Sequence, residues 1–77
     1  MPQPTLDQLG AAIRTLRQGR SLSIEALARE AELHTVSVSR IENGKQNASW
    51  LALSSLADVL EVEMVDLVRL AGKQPNP

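Results

Sequence analysis

The chain has 77 residues, 43% of them hydrophobic and 22% charged, with a formal net charge of -1, which gives one small domain and excludes a second. It has no cysteine, so disulfides and thiolate metal sites are excluded together. With Trp50 as its single aromatic residue, the core must be built from Leu, Ile, Val, Met and Ala, a composition that favours helices over strands.

Residues 1–7 carry neither an apolar run nor a basic lead, and nothing approaches the roughly 18 apolar residues that cross a bilayer. The sequence therefore implies a soluble, cytoplasmic protein without a membrane partner. Thr5-Leu6-Asp7-Gln8 is a capping box, and Leu6, Leu9, Ile13 and Leu16 form the apolar stripe of a first helix that Gly19 is expected to stop in a left-handed conformation. Arg14 and Arg17 fall off that stripe and read, with Arg29, as solvated charges.

Ser23 caps a second helix of barely two turns carrying Ile24, Leu27, Ala28 and Ala31. A third short helix begins at His34 or Thr35, turns Val38 and Ile41 inward and ends at Asn43-Gly44. Ser49 caps a fourth, with Trp50, Leu53, Leu56, Ala57 and Leu60 along its stripe and Trp50 expected in the core or at its edge. A fifth covers about Met64 to Leu70, with Val62, Leu67 and Leu70 as packing residues, and Ala71-Gly72 closes it. The tails, 1–4 and 73–77, are Pro-rich and polar and are expected to be disordered, leaving 5–72 as the domain.

Catalysis needs converging groups with tuned pKa, and one histidine with no Cys or Tyr is a thin inventory. No nucleophile elbow or phosphate loop is present, so the sequence predicts neither an enzyme, a metal site nor a cofactor. His34 reads as a cap or turn residue. The second and third helices, by contrast, are short and joined by the turn Ala31-Glu32-Leu33-His34, with small Ala28 and Ala31 where two crossing helices approach most closely. That is helix-turn-helix geometry.

In these residues the chain resembles the phage-repressor-like, XRE-type helix-turn-helix proteins related to the lambda repressor and Cro. The resemblance runs through Leu9-Gly10-Ala11-Ala12-Ile13-Arg14-Thr15-Leu16-Arg17, Leu22-Ser23-Ile24-Glu25-Ala26-Leu27-Ala28 and Ser39-Arg40-Ile41-Glu42-Asn43-Gly44-Lys45, then Leu53, Leu56, Ala57, Leu60 and Leu67. The sequence departs from the family pattern at Ile24, where Gln is frequent, at Glu32, where Gly is usual, and at Ala48, where Pro is frequent. A left-handed Glu32 costs roughly 1 kcal/mol. The resemblance implies an all-α, compact five-helix domain and homodimers formed through the last two helices.

With Val38 and Ile41 inward and 100° per residue, the outer face of the third helix carries Val36, Ser39, Arg40 and Asn43, with Thr35 at its leading edge. Thr35, Val36, Ser39 and Arg40 are the candidate base contacts, and Arg40 could fork onto guanine or hold a phosphate instead. The plain alternative for Arg40 is a surface pair with Glu42 or a carboxylate of the second helix. Ser23, Ser37, Asn43, Lys45 and Asn47 are candidate phosphate contacts.

Residues 1–48 carry a net +1 and residues 49–77 a net -2, which directs any anionic partner to the first two thirds. The last two helices hold more apolar residues than one stripe needs, and Leu51, Val59, Val65 and Val68 are the candidate dimer contacts. The expected function is a sequence-specific regulator of transcription, a stand-alone repressor or controller that binds duplex DNA as a homodimer on a palindromic operator. No room remains for a small-molecule effector domain. The rival, favoured by the low net charge, is a protein-interaction module or antitoxin on the same fold.

Overall fold

The computed structural model describes residues 3–76, so Met1, Pro2 and Pro77, which belong to the tails expected to be disordered, lie outside the described residues. Helix α1 (Leu6–Gly19) opens with the anticipated capping box: Gln8 N donates to Thr5 Oγ1 at 3.1 Å and Thr5 N donates to Gln8 Oε1 at 2.9 Å. Its end differs from expectation. The left-handed residue is Ser21 (φ 57°), not Gly19. Leu22 N donates to Arg17 O and Ser21 N to Gln18 O, the paired closure of a Schellman turn, which brings Leu22 back against the core. The reversal must precede the residue it returns, and that residue is Leu22.

Helix α2 (Ile24–Ala31) starts at Ser23, whose Oγ accepts from Ala26 N at 3.0 Å, and stops at Glu32 in the left-handed region (φ 59°). Helix α3 (Thr35–Glu42) follows after Leu33 and His34; the His34 side chain makes no capping bond. Asn43-Gly44 ends α3 as its residue types suggest, with Gly44 at φ 70° and Lys45 N donating to Arg40 O. Helix α4 (Trp50–Leu60) is capped by Ser49, and a third non-glycine residue, Glu61 (φ 58°), turns the chain into α5 (Met64–Gly72). Helix α5 runs two residues past Leu70 because Ala71 is fully buried and belongs to the core.

Each helix gives the core one large, fully buried side chain: Ile13, Leu27, Val38, Leu56 and Leu67. Helix α1 lies against both α3 and α5, and α2 lies against α3 and α4, so α3 is seated from two sides. The domain measures 34 × 23 × 22 Å. Among the described residues there is no strand and no helix long and apolar enough to cross a membrane.

Trp50 and Arg17 also depart from the sequence expectation. Trp50 is 69% exposed rather than in the core. As the first residue of α4 its side chain leans back past the end of the helix, beyond the layer that Leu53 and Leu56 complete. Arg17 is not a solvated charge: its side chain is 12% exposed and lies on the buried Glu42. The stretch after α5 keeps polar contacts with α1, where Gln8 Nε2 donates to Gln74 O at 2.8 Å and Thr5 Oγ1 donates to Asn76 Oδ1 at 3.2 Å.

Candidate nucleic-acid interface

The orientation of α3 is set by what it buries. Val38, Ile41 and Glu42 face inward at i, i+3 and i+4, which leaves Thr35, Val36 and Arg40 exposed and Ser37 and Ser39 half-buried on the other side. Val36, at 69% exposure, presents a bare methyl pair to solvent. Arg40 does not pair with Glu42. Its Nη2 donates to Lys45 O at 3.4 Å, and it makes no ion pair among the described residues, so its charge is available outward.

The C-terminal end of α3 is gripped by α1. Gly10 has no Cβ, and one there would run into the carbonyl oxygens of Ile41 and Glu42, so only glycine permits this approach. One to two turns on, Arg17 lies bidentate on Glu42, with Nε to Oε2 at 2.7 Å and Nη2 to Oε1 at 3.0 Å, and its Nη1 donates to Leu22 O at 2.9 Å. The Glu42 hydrogen bond is the main cause that raises the Arg17 pKa above its ordinary value, against the opposing effect of burial. Arg14 adds Nε to Glu42 Oε1 at 3.4 Å and Nη2 to Asn43 Oδ1 at 2.7 Å. No buried side-chain polar atom among the described residues lacks a partner.

The expected phosphate contacts are unequally free. Ser23 Oγ is engaged in capping α2, where it accepts from Ala26 N. Asn43 is engaged on both sides, accepting from Arg14 and donating to Ser39 O at 2.8 Å. Lys45 and Asn47 are exposed on the α3–α4 connection, and Ser37 is half-buried.

On the far side, Leu51 (77%), Val65 (60%) and Val68 (43%) are exposed, whereas Val59 is half-buried against the core. A shallow apolar groove between the foot of α1, α4 and α5 is lined by Leu6, Leu9, Leu53 and Val68. The sequence reading missed the Arg17–Glu42 contact, although the signal was present: Glu42 is four residues from Val38 and so on its inward face, and Gly10, Arg14 and Arg17 recur at i, i+4 and i+7 on α1.

Two short helices joined by a tight turn, the second seated firmly and displaying one face, define a helix-turn-helix protein. The chain belongs to the helix-turn-helix domain family, whose pattern matches residues 8–71. It is 32% identical over 68 residues to the HTH-type transcriptional repressor RghR of Bacillus subtilis strain 168, covering 87% of this chain and 50% of that one, so it spans about half the length of this relative. Among solved structures it is similar to the restriction-modification controller protein C.AhdI from Aeromonas hydrophila, with TM-score 0.79 and 34% identity over 80% of this chain and 94% of that one. It is also similar to the clp gene regulator ClgR from C. glutamicum, with TM-score 0.84 and 28% identity over 92% of each chain. The resemblance to repressor-type helix-turn-helix proteins therefore holds, and these relatives are named as regulators rather than enzymes.

Proposed function

We propose that the chain is a sequence-specific duplex-DNA-binding regulator of transcription that acts in the cytoplasm as a homodimer on a palindromic operator. The observation that carries this reading is α3: anchored at Glu42, it turns Thr35, Val36 and Arg40 to solvent, with Ser39 half-buried beside them. The hydroxyls and methyls of Thr35, Val36 and Ser39 suit base edges, including the thymine methyl, and Arg40 suits guanine or a phosphate. Ser23 and Ser37, with Lys45 and Asn47 beyond α3, would hold the backbone and set register, as would the second amide hydrogen of Asn43.

The homodimer rests on the exposed Leu51, Val65 and Val68, with Val59 as support from the core side, on an acidic third of the chain turned away from phosphate. Two-fold pairing there would put the two α3 helices about one DNA turn apart. The names of the relatives, a transcriptional repressor, a controller protein and a gene regulator, support a regulatory role.

Salt titration of binding to a duplex selected from a random pool tests the reading. If each subunit neutralises about three phosphates, the slope of log affinity against log salt is about -5 for the dimer. Arg40→Ala is expected to lower affinity for the selected duplex by about 1–3 kcal/mol with thermal unfolding nearly unchanged. Equal loss on random duplex assigns Arg40 to a phosphate. A protein-interaction module on this fold, which the net charge of -1 favours, gives no salt-dependent binding to any duplex.

A further inference from the structure

We propose that Arg14, on α1, is a phosphate-binding residue of the α3 surface, held in place by Asn43; the inference rests on the DNA-binding reading above. Two guanidinium groups meet one carboxylate at the end of α3, which leaves one positive charge in excess. The geometry assigns that excess to Arg14. Arg17 takes Glu42 through two short bonds at 2.7 and 3.0 Å and is 12% exposed, whereas Arg14 reaches it only at 3.4 Å and is 42% exposed.

Arg14 is nonetheless fixed. Its Nη2 donates to Asn43 Oδ1 at 2.7 Å, and Asn43 is locked in turn by donating to Ser39 O at 2.8 Å. The guanidinium therefore stands at the C-terminal end of α3, where the partial negative charge of the helix favours a cation. Its Nη1 has no partner among the described residues. A planar group with unused donors, already ordered by its neighbours, suits a phosphate oxygen pair and loses little further freedom on binding. Asn43 has its carbonyl oxygen and one amide hydrogen committed, so it acts here mainly as the positioning residue. Asp7 lines the same hollow as Arg14 without forming an ion pair with it.

The test compares Arg14→Gln and Arg14→Lys with the unaltered chain on the selected duplex and on a scrambled duplex of equal length, across a salt series, with thermal unfolding of each protein. Arg14→Gln is expected to weaken binding to both duplexes by the same factor, about tenfold, and to flatten the salt slope by about two for the dimer, one per subunit. Arg14→Lys restores the slope, and all three proteins unfold within a few degrees of one another. Unchanged affinity and slope, a loss confined to the selected duplex, or a loss that tracks unfolding and is not restored by lysine would each overturn the proposal. Should the unaltered chain bind neither duplex, the DNA-binding reading itself fails and this inference with it.

Discussion

Along the α3 side, Gly10, Arg17 and Glu42 join α1 to α3 through contacts that depend on direction, a backbone approach only glycine allows and a bidentate ion pair. Helix α5 is seated differently: Leu67 and Ala71 are fully buried against α1 and α4, while Val65 and Val68 remain outside. Apolar contact is not directional, whereas a bidentate pair fixes both distance and angle. A helix that presents side chains to a regular groove, as proposed for α3, needs the second kind of restraint. A surface that needs only to be covered does well with the first. Among the described residues the one buried charged side chain, Glu42, accordingly belongs to α3 itself.

Glu42→Ala removes the directional anchor of α3 outright. It leaves Arg17, 12% exposed, without its carboxylate, and an uncompensated buried charge is expected to cost about 3 kcal/mol of folding stability, read by urea unfolding. That is a large share of the roughly 5 kcal/mol available to a domain of this size. A loss under about 1 kcal/mol would mean that the pair does not anchor α3 and that both surfaces are held by packing alone.

Val65→Asp probes the other surface. Because Val65 is 60% exposed, the monomer's stability should shift by no more than about 0.5 kcal/mol. Association should nevertheless fail, moving sedimentation to the monomer and weakening duplex binding through mass action. Sedimentation identical to that of the unaltered chain would remove Val65 from the interface.

Much of the fold was legible because it is encoded locally. The capping residues Thr5, Ser23 and Ser49 and the stripes through Ile13, Leu27, Val38 and Leu56 lie within a few positions of the backbone they organise, and helices α1 to α4 start where they put them. The outward face of α3 followed from the same periodicity. What escaped was non-local or sat at an edge. Arg17 and Glu42 are separated by 25 positions, and a polar residue on an apolar face reads as solvated until its partner is seen across the gap. Trp50 satisfies the stripe of α4 by spacing, yet as the first helical residue it projects beyond the core it was expected to join. Ser21 was missed because a glycine two positions earlier offered an easier stop, while the return of Leu22 to the core decided the matter.

The smallest expected effect separates the two turns that lead into these surfaces. Glu32, before α3, and Glu61, before α5, occupy nearly the same left-handed conformation, φ 59° and 58°. Glycine relieves about 1–2 kcal/mol of steric cost there but gives back about 0.4–1 kcal/mol through the freer unfolded chain. Glu32→Gly should therefore stabilise the domain by about 0.5–1 kcal/mol. Glu61 also pairs with Arg20 across the α1–α4 gap, and this exposed contact is lost on substitution. Such pairs contribute about 0–1 kcal/mol, so Glu61→Gly should gain less than Glu32→Gly, a ranking that paired thermal unfolding curves can read. If Glu61→Gly gained more, the Arg20 pair would contribute nothing, and the α4–α5 side would rest on apolar contact still more fully.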